Sequence, residues 1–380
     1  MSTIAEAYIG ARIYDGVGFH GDDDALVLHA DGARSIIARR NLPVDCPVKT
    51  LTGGIIAPGY VDLQINGGGG VMFNDDQSVD ALRTIAAAHA SIGSAVVLPT
   101  LITDTPERTK AAINAVEEAI AEKVPGVAGI HLEGPHLSVA RKGAHDPRLI
   151  RQMSDDDLAA VLSAAERLPN VMMTVAPENT TLAQIRALSD AGVIVSLGHT
   201  DADFETCMAA FEAGARCVTH LFNAMSQLGN REPGLVGATL ARDDVYAGLI
   251  ADGVHVHPAT IRLALAAAQN NNRIMLVTDA MATAGSQIDG FVLNGRQVIR
   301  KDQRLTLENG TLAGADLAMT QAISTMVDAV GEDTAQAIRR ATATPLSLLR
   351  GYDNENPLLD PALSVNHLPG DLSTVTRLCK

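Results

Sequence analysis

Between Tyr60 and Thr278 the chain repeats one unit eight times: a short apolar run, a polar break, then in most intervals an alanine-rich amphipathic stretch. The runs are Tyr60–Ile65, Ala95–Leu101, Val127–Leu132, Val171–Val175, Val193–Leu197, Cys217–Leu221, Tyr246–Ile250 and Ile274–Thr278. The stretches between them include 79–92, 106–122, 155–167, 181–191, 203–213 and 258–270. A strand covered by helices on its outer face and packed within on the other reads as a continuous apolar run. Eight such runs alternating with helices predict a parallel (β/α)8 barrel of the TIM type. An open doubly wound sheet is the competing arrangement, but no GxGxxG follows any run.

The flanks differ. Residues 1–57 carry short runs such as Tyr8–Tyr14, Ala25–Leu28 and Ser35–Ala38, separated by Gly and Asp, and predict part of a small β-sandwich. The barrel is expected over 58–345, with an Asn-Gly hairpin insert within 288–312. Residues 346–380 are expected to return to the small domain as a short, atypical segment that leaves it wanting strands.

Hydrophobic residues make up 47% of the chain, so a large core is within reach, built on aliphatic side chains because aromatics are only 3%. The net charge of −15 argues against a nucleic-acid or anionic-membrane partner. Cys46, Cys207, Cys217 and Cys379 form no CxxC pair, which fits free thiols in a cytoplasmic protein. No run reaches membrane-spanning length.

In such a barrel, catalytic groups collect where strands end. Here the ends are polar. The first run leads into Gln64-Ile65-Asn66 and four glycines, the third into Glu133, the fifth into His199, the sixth into His220, the seventh into Asp252 and His255, and the eighth into Asp279. Glu133, His199 and His220 make a His2Glu set, the ligand complement of a catalytic metal site with an open position. Asp279 lies beyond them as a candidate proton acceptor, with a helix N-cap as its plain alternative. His131 and His136 flank Glu133 and read as structural or as supports of the ligands, and His257, before Pro258 at a helix start, reads as no ligand. Gly67–Gly70 lacks the Lys-Ser/Thr of a phosphate loop and reads as tight packing near the mouth.

Several longer stretches, among them Ala57-Pro58-Gly59, His131-Leu132-Glu133-Gly134-Pro135-His136, Gly198-His199-Thr200-Asp201-Ala202, Thr219-His220-Leu221-Phe222-Asn223-Ala224-Met225, Asp252-Gly253-Val254-His255 and Val277-Thr278-Asp279-Ala280-Met281, resemble the N-acetylglucosamine-6-phosphate deacetylases of the amidohydrolase superfamily. The resemblance implies an amidohydrolase-type barrel that hydrolyses the acetamide of N-acetylglucosamine 6-phosphate to glucosamine 6-phosphate and acetate, a step of amino-sugar catabolism and cell-wall sugar recycling. It implies Glu133, His199 and His220 as ligands of one divalent metal: Zn2+ first, with Fe2+, Co2+ or Mn2+ as alternatives. It implies Asp279 as general base and then acid, and His145 as a group polarising the carbonyl.

Two-metal members of the superfamily carry His-x-His where this chain has Gln64-Ile65-Asn66, which favours a single metal with Gln64 near water or substrate. The resemblance further implies substrate contacts from Ala144, Asn223, Ala224, His255 and the loop Leu312-Ala313-Gly314. It also implies a phosphate contact from Arg231 to the neighbouring site of a homodimer. The galactosamine epimer is an alternative substrate, and a sugar-phosphate-binding protein without catalysis is an alternative of another class.

Overall fold

The computed structural model describes residues 3–379. Each of the eight runs overlaps a strand of one parallel sheet: Tyr60–Ile65, Ser94–Ile102, Ile130–Glu133, Val171–Val175, Ile194–Leu197, Cys217–Val218, Tyr246–Leu249 and Ile274–Leu276. Each strand lies beside its predecessor in the sequence. The first and last meet at a seam. Ile65 bridges to Ala280 in parallel, the Asn66 N–H donates to the Ala280 carbonyl at 2.7 Å, and the Thr278 hydroxyl donates to buried Asp62 at 2.5 Å. The sixth strand is shorter than its apolar run. The chain leaves the sheet at once through His220 (φ 34°) and Phe222 (φ 78°), a left-handed path that ordinary residues seldom take.

Alternate residues of the strands face opposite ways. Met172, Ile194, Cys217 and Met275 pack with Val61, Leu63 and Leu98 into a floor closed by Leu346, Leu349 and Leu363. Their neighbours Val171, Met173, Val175, Val195 and Val218 face helix residues such as Ile113, Val116, Val161, Ile185 and Leu188. Above the floor comes a polar layer. The His131 ring nitrogen Nε2 lies 2.7 Å from Thr174 Oγ1, and Thr219 Oγ1 lies 2.7 Å from both Thr174 and Ser196. His131 is thus satisfied inside the barrel, as a structural residue.

The predicted helices form at Val79–Ser91, Pro106–Ala121, Asp155–Arg167, Leu182–Asp190, Phe204–Glu212 and Pro258–Ala267. Their starts are fixed by caps from Ser78, Thr105, Ser154, Thr181 and Asp203, each accepting from a backbone N–H. Such a cap contributes about 1 kcal/mol. His257 caps the last of them by accepting from the Ala259 N–H. One further helix, Gly234–Leu240, is buried at every position and so lacks the polar face that marks an amphipathic segment.

The small domain is two four-stranded sheets. One joins Ile4–Ile9, Asp24–His29, Arg34–Ala38 and Val48–Thr50; the other joins Arg12–Ile13, Ile55–Pro58, Val365–Leu368 and Thr376–Cys379. Tyr8, Ile13, Leu26, Ile56, Leu358 and Val365 pack in one cluster. The C-terminal segment therefore supplies two strands, a correction to the expectation of missing ones. Val365–Leu368 pairs antiparallel with Ile55–Pro58, and Arg34 donates to the carbonyls of Leu358, Asp360 and Leu363.

The insert after the eighth strand is a three-stranded sheet, Gly290–Leu293, Arg296–Lys301 and Arg304–Leu307. Among the described residues no helix is long and apolar enough to cross a membrane.

Candidate metal and substrate site

At the mouth of the barrel three side chains from different strands converge. Glu133 Oε1 lies 3.1 Å from His199 Nε2 and 3.1 Å from His220 Nε2, and the two nitrogens are 3.0 Å apart. All three side chains are buried. Donors around a tetrahedral ion at zinc-like bond lengths stand roughly 3.3 Å from one another. The trio therefore has the spacing of ligands around a small cation. The partner of the far ring nitrogen of His199 is a backbone oxygen: Nδ1 sits 2.8 Å from the Arg141 carbonyl. A carbonyl only accepts, so Nδ1 carries a proton, and Nε2 is the nitrogen left to face a cation. Burial opposes ionisation of Glu133, but hydrogen bonds and charge from His199 and His220 outweigh it and hold the carboxyl well below its usual range.

His145 belongs to the same group. One of its ring nitrogens falls within 4.8 Å of ligand atoms of Glu133 and His199, which makes it an alternative third ligand. His220 Nε2 stands 3.0–3.1 Å from the ligand atoms of Glu133 and His199, so the trio with His220 has ion-like spacing. His145 Nδ1 is instead 2.8 Å from Thr103 Oγ1, while that hydroxyl is 3.4 Å from the Glu133 carbonyl. Burial foremost, and then the His199 ring, push His145 down to about 3, so it is neutral at ordinary pH.

Asp279 stands beside the trio, at φ 51°. The Asn66 amide donates to its Oδ1 at 2.7 Å and the Gln64 amide donates to the same oxygen at 3.2 Å. Gln64 Nε2 also lies 3.2 and 3.3 Å from the two Glu133 oxygens, so it bridges the two carboxylates. Burial first, and then the Glu133 charge, raise Asp279 to about 6.

These groups open on a cavity of about 240 Å³ lined by Asn66, Glu133, His145, His199, His220 and Asp279, with Ala144, Asn223, Ala224, His255, Leu312 and Gly314 completing the wall. His255 is held by Asp252, whose Oδ2 is 2.6 Å from its Nδ1. A larger cavity of about 440 Å³, between the insert and Ser373–Val375, holds none of these groups. Three candidates lie off the wall of the smaller cavity. Gln64 is buried beneath it. Ala313 packs in the cluster of Met281, Leu293 and Leu305. Arg231 is exposed on the loop before the Gly234–Leu240 helix.

His136 faces the Arg151 carbonyl at 3.1 Å, away from the trio. The glycine run forms a tight two-residue-stranded turn at the mouth, and a Cβ on Gly67 would meet the Val71 carbonyl oxygen at 2.4 Å. The sequence pattern names Asn66 without a role of its own and does not single out Thr103. The position of Asn66 two residues beyond Gln64 was the only signal for it, and Thr103 had none.

The sequence pattern of the amidohydrolase family matches residues 55–354. The chain belongs to the amidohydrolase family. Among curated relatives it is 42% identical over 306 residues to the N-acetylgalactosamine-6-phosphate deacetylase of Shewanella sp. (strain ANA-3), covering 80% of this chain and 77% of that one. It is 35% identical over 326 residues to the N-acetylglucosamine-6-phosphate deacetylase of Haemophilus influenzae, covering 85% and 84%.

Among solved structures, the N-acetylglucosamine-6-phosphate deacetylase of Pasteurella multocida superposes with a TM-score of 0.90 at 32% identity, covering 98% of both chains. An alanine-for-aspartate variant of the Mycobacterium smegmatis enzyme in complex with N-acetyl-D-glucosamine-6-phosphate superposes at 0.87 and 29% identity, covering 99% of this chain and 98% of that one.

Proposed function

We propose that this amidohydrolase removes the acetyl group of N-acetyl-D-glucosamine 6-phosphate, giving D-glucosamine 6-phosphate and acetate. The observation that carries the reading is the pairing, on the wall of one cavity, of a ligand trio with a separate, amide-held carboxylate. A protein that only bound a sugar phosphate would have no use for Asp279. Glu133, His199 and His220 would hold one divalent cation, and Zn2+ suits that donor set. A bound cation would supply Lewis acidity, making water more acidic and the acetamide carbonyl more electrophilic.

The protein's own groups divide the rest. Asp279 accepts a proton from the attacking water and returns it to the leaving nitrogen, so that the product departs as an amine. His145 is held through Nδ1 by the Thr103 hydroxyl at 2.8 Å, and in the tautomer with hydrogen on Nε2 it would donate to the carbonyl oxygen as negative charge builds there, an effect commonly worth about 3 kcal/mol. Ala144, Asn223, Ala224, His255, Leu312 and Gly314 surround the sugar. Gln64 and Ala313 support that wall from behind. Arg231, which makes no ion pair among the described residues, serves the phosphate of the neighbouring site in a homodimer. A guanidinium matches a phosphate bidentately. A cytoplasmic location accords with the four free cysteines.

The Shewanella relative at 42% identity favours a second reading, in which the C4 epimer N-acetyl-D-galactosamine 6-phosphate is the better substrate. Metal per chain and acetate release from each epimeric 6-phosphate test both. Release from the gluco compound at the higher kcat/KM supports the first reading, and the reverse order supports the second. Release from neither, with metal bound, removes both.

A further inference from the structure

We infer that Asn66 is a positioning residue that dictates which oxygen of Asp279 handles the proton. The inference rests on the deacetylase reading above and deepens it. Asp279 Oδ1 receives two N–H donors, from Asn66 at 2.7 Å and from Gln64 at 3.2 Å. Neither amide titrates, and neither can turn its donor into an acceptor without rotating away. A proton arriving on Oδ1 would face both N–H groups, so the acid form is disfavoured there. Among the described residues no such donor reaches Oδ2, and Asp279 lies on the cavity wall. Proton traffic is thereby confined to Oδ2.

Two further observations show that Asn66 is held for this contact. Its backbone is tied to the residue after the base, because the Asn66 N–H donates to the Ala280 carbonyl at 2.7 Å. Strand one and strand eight thus fix the donor and the acceptor in one frame. The other end of the amide is left unsatisfied: Asn66 Oδ1 is buried and has no hydrogen-bond partner among the described residues. An orphaned acceptor of this kind costs about 1–3 kcal/mol. A residue chosen for stability would not carry it. The side chain keeps its donor on Asp279 at the expense of its acceptor. The amides of Gln64-Ile65-Asn66 accordingly act as the aiming device of the base, as well as standing where two-metal relatives place imidazoles.

The test compares wild type with Asn66→Leu, which is close in shape and lacks both donor and orphan acceptor. Steady-state kinetics on N-acetylglucosamine 6-phosphate and its galacto epimer, metal per chain and the thermal midpoint are read together. The expected result is a kcat lowered about 10- to 100-fold, KM within about threefold, metal content unchanged and a variant still fully folded at the assay temperature. A merely structural role predicts instead that activity falls in step with metal content or midpoint. That outcome, or a kcat within about twofold of wild type, overturns the inference. If Asn66→Leu does not fold, Asn66→Ala is measured in the same way, and failure of both to fold also counts against it. A wild type that releases acetate from neither epimer fails the deacetylase reading itself, and the inference goes with it. An active wild type with an equally active variant fails this inference alone.

Discussion

Replacing Asp279 with Asn separates what the carboxylate does from what it costs. The amide is nearly isosteric, and its oxygen can take the place of Oδ1, accepting from Asn66 and Gln64 as before. What disappears is the ability to accept a proton at neutral pH, so kcat is expected to fall by about 10²- to 10⁴-fold. What also disappears is a buried negative charge beside Glu133. The carboxyl is raised from 3.8 to about 6, by burial and then by the Glu133 charge. At about 1.4 kcal/mol per pH unit, ionised Asp279 lowers the stability of the metal-free protein by about 3 kcal/mol at most.

The direction with pH follows from the raised value. The penalty is fully present above about 6, shrinks as the pH falls through 6, and is gone below 3.8, where the group is protonated in both folded and unfolded chains. Metal-free Asp279→Asn should therefore melt higher than metal-free wild type at pH 8, by about 4 °C for a chain of this size. The gap should narrow towards pH 5. The assay is a thermal scan of both chelated proteins at the two pH values, alongside acetate release by the metal-loaded forms. A variant with near-wild-type kcat would refute the role of base. A variant equally destabilised at both pH values would refute the electrostatic account.

Glu133→Gln should bind less than a tenth of the wild-type metal per chain, read by elemental analysis after dialysis, because the shared oxygen between the two imidazoles loses its charge; wild-type metal content would exclude Glu133 as a ligand. Arg231→Ala should raise KM for the sugar phosphate about tenfold or more with kcat within about threefold, since a phosphate contact binds ground and transition states alike; an unchanged KM removes it from the phosphate site. Thr278→Val should lower unfolding free energy by about 1–3 kcal/mol in urea titration, because it strips the 2.5 Å donor from a fully buried Asp62. Burial already raises Asp62 to about 7, so the loss should grow as the pH rises through that value, and a pH-independent loss would contradict this.

The barrel was readable because its signal is local. Each run such as Val171–Val175 is apolar throughout, and each helix start such as Ser154 or Thr181 carries its own cap. Glu133, His199, His220 and Asp279 were readable as strand-end residues whose types carry chemistry. Other features depend on partners that no local pattern announces. The Thr103–His145 contact joins the end of the second strand to a loop beyond the third, and Asn66–Asp279 joins the two ends of the barrel. The closing strand Val365–Leu368 looked like a fragment because its partner, Ile55–Pro58, lies at the far end of the chain. The Gly234–Leu240 helix was hidden because it is apolar on every side.

The seam between first and last strands has a consequence for how the protein matures. Glu133, His199 and His220 come from strands three, five and six, a continuous arc of the sheet that exists whether or not the ring is shut. Asp279 and the amides that hold it straddle the junction itself, one contribution from each side. On the proposed roles, a chain folded only as an arc would already carry the cation's ligands and still lack the base held across the join. Metal uptake would then count molecules that have built the arc, and turnover those that have closed the ring.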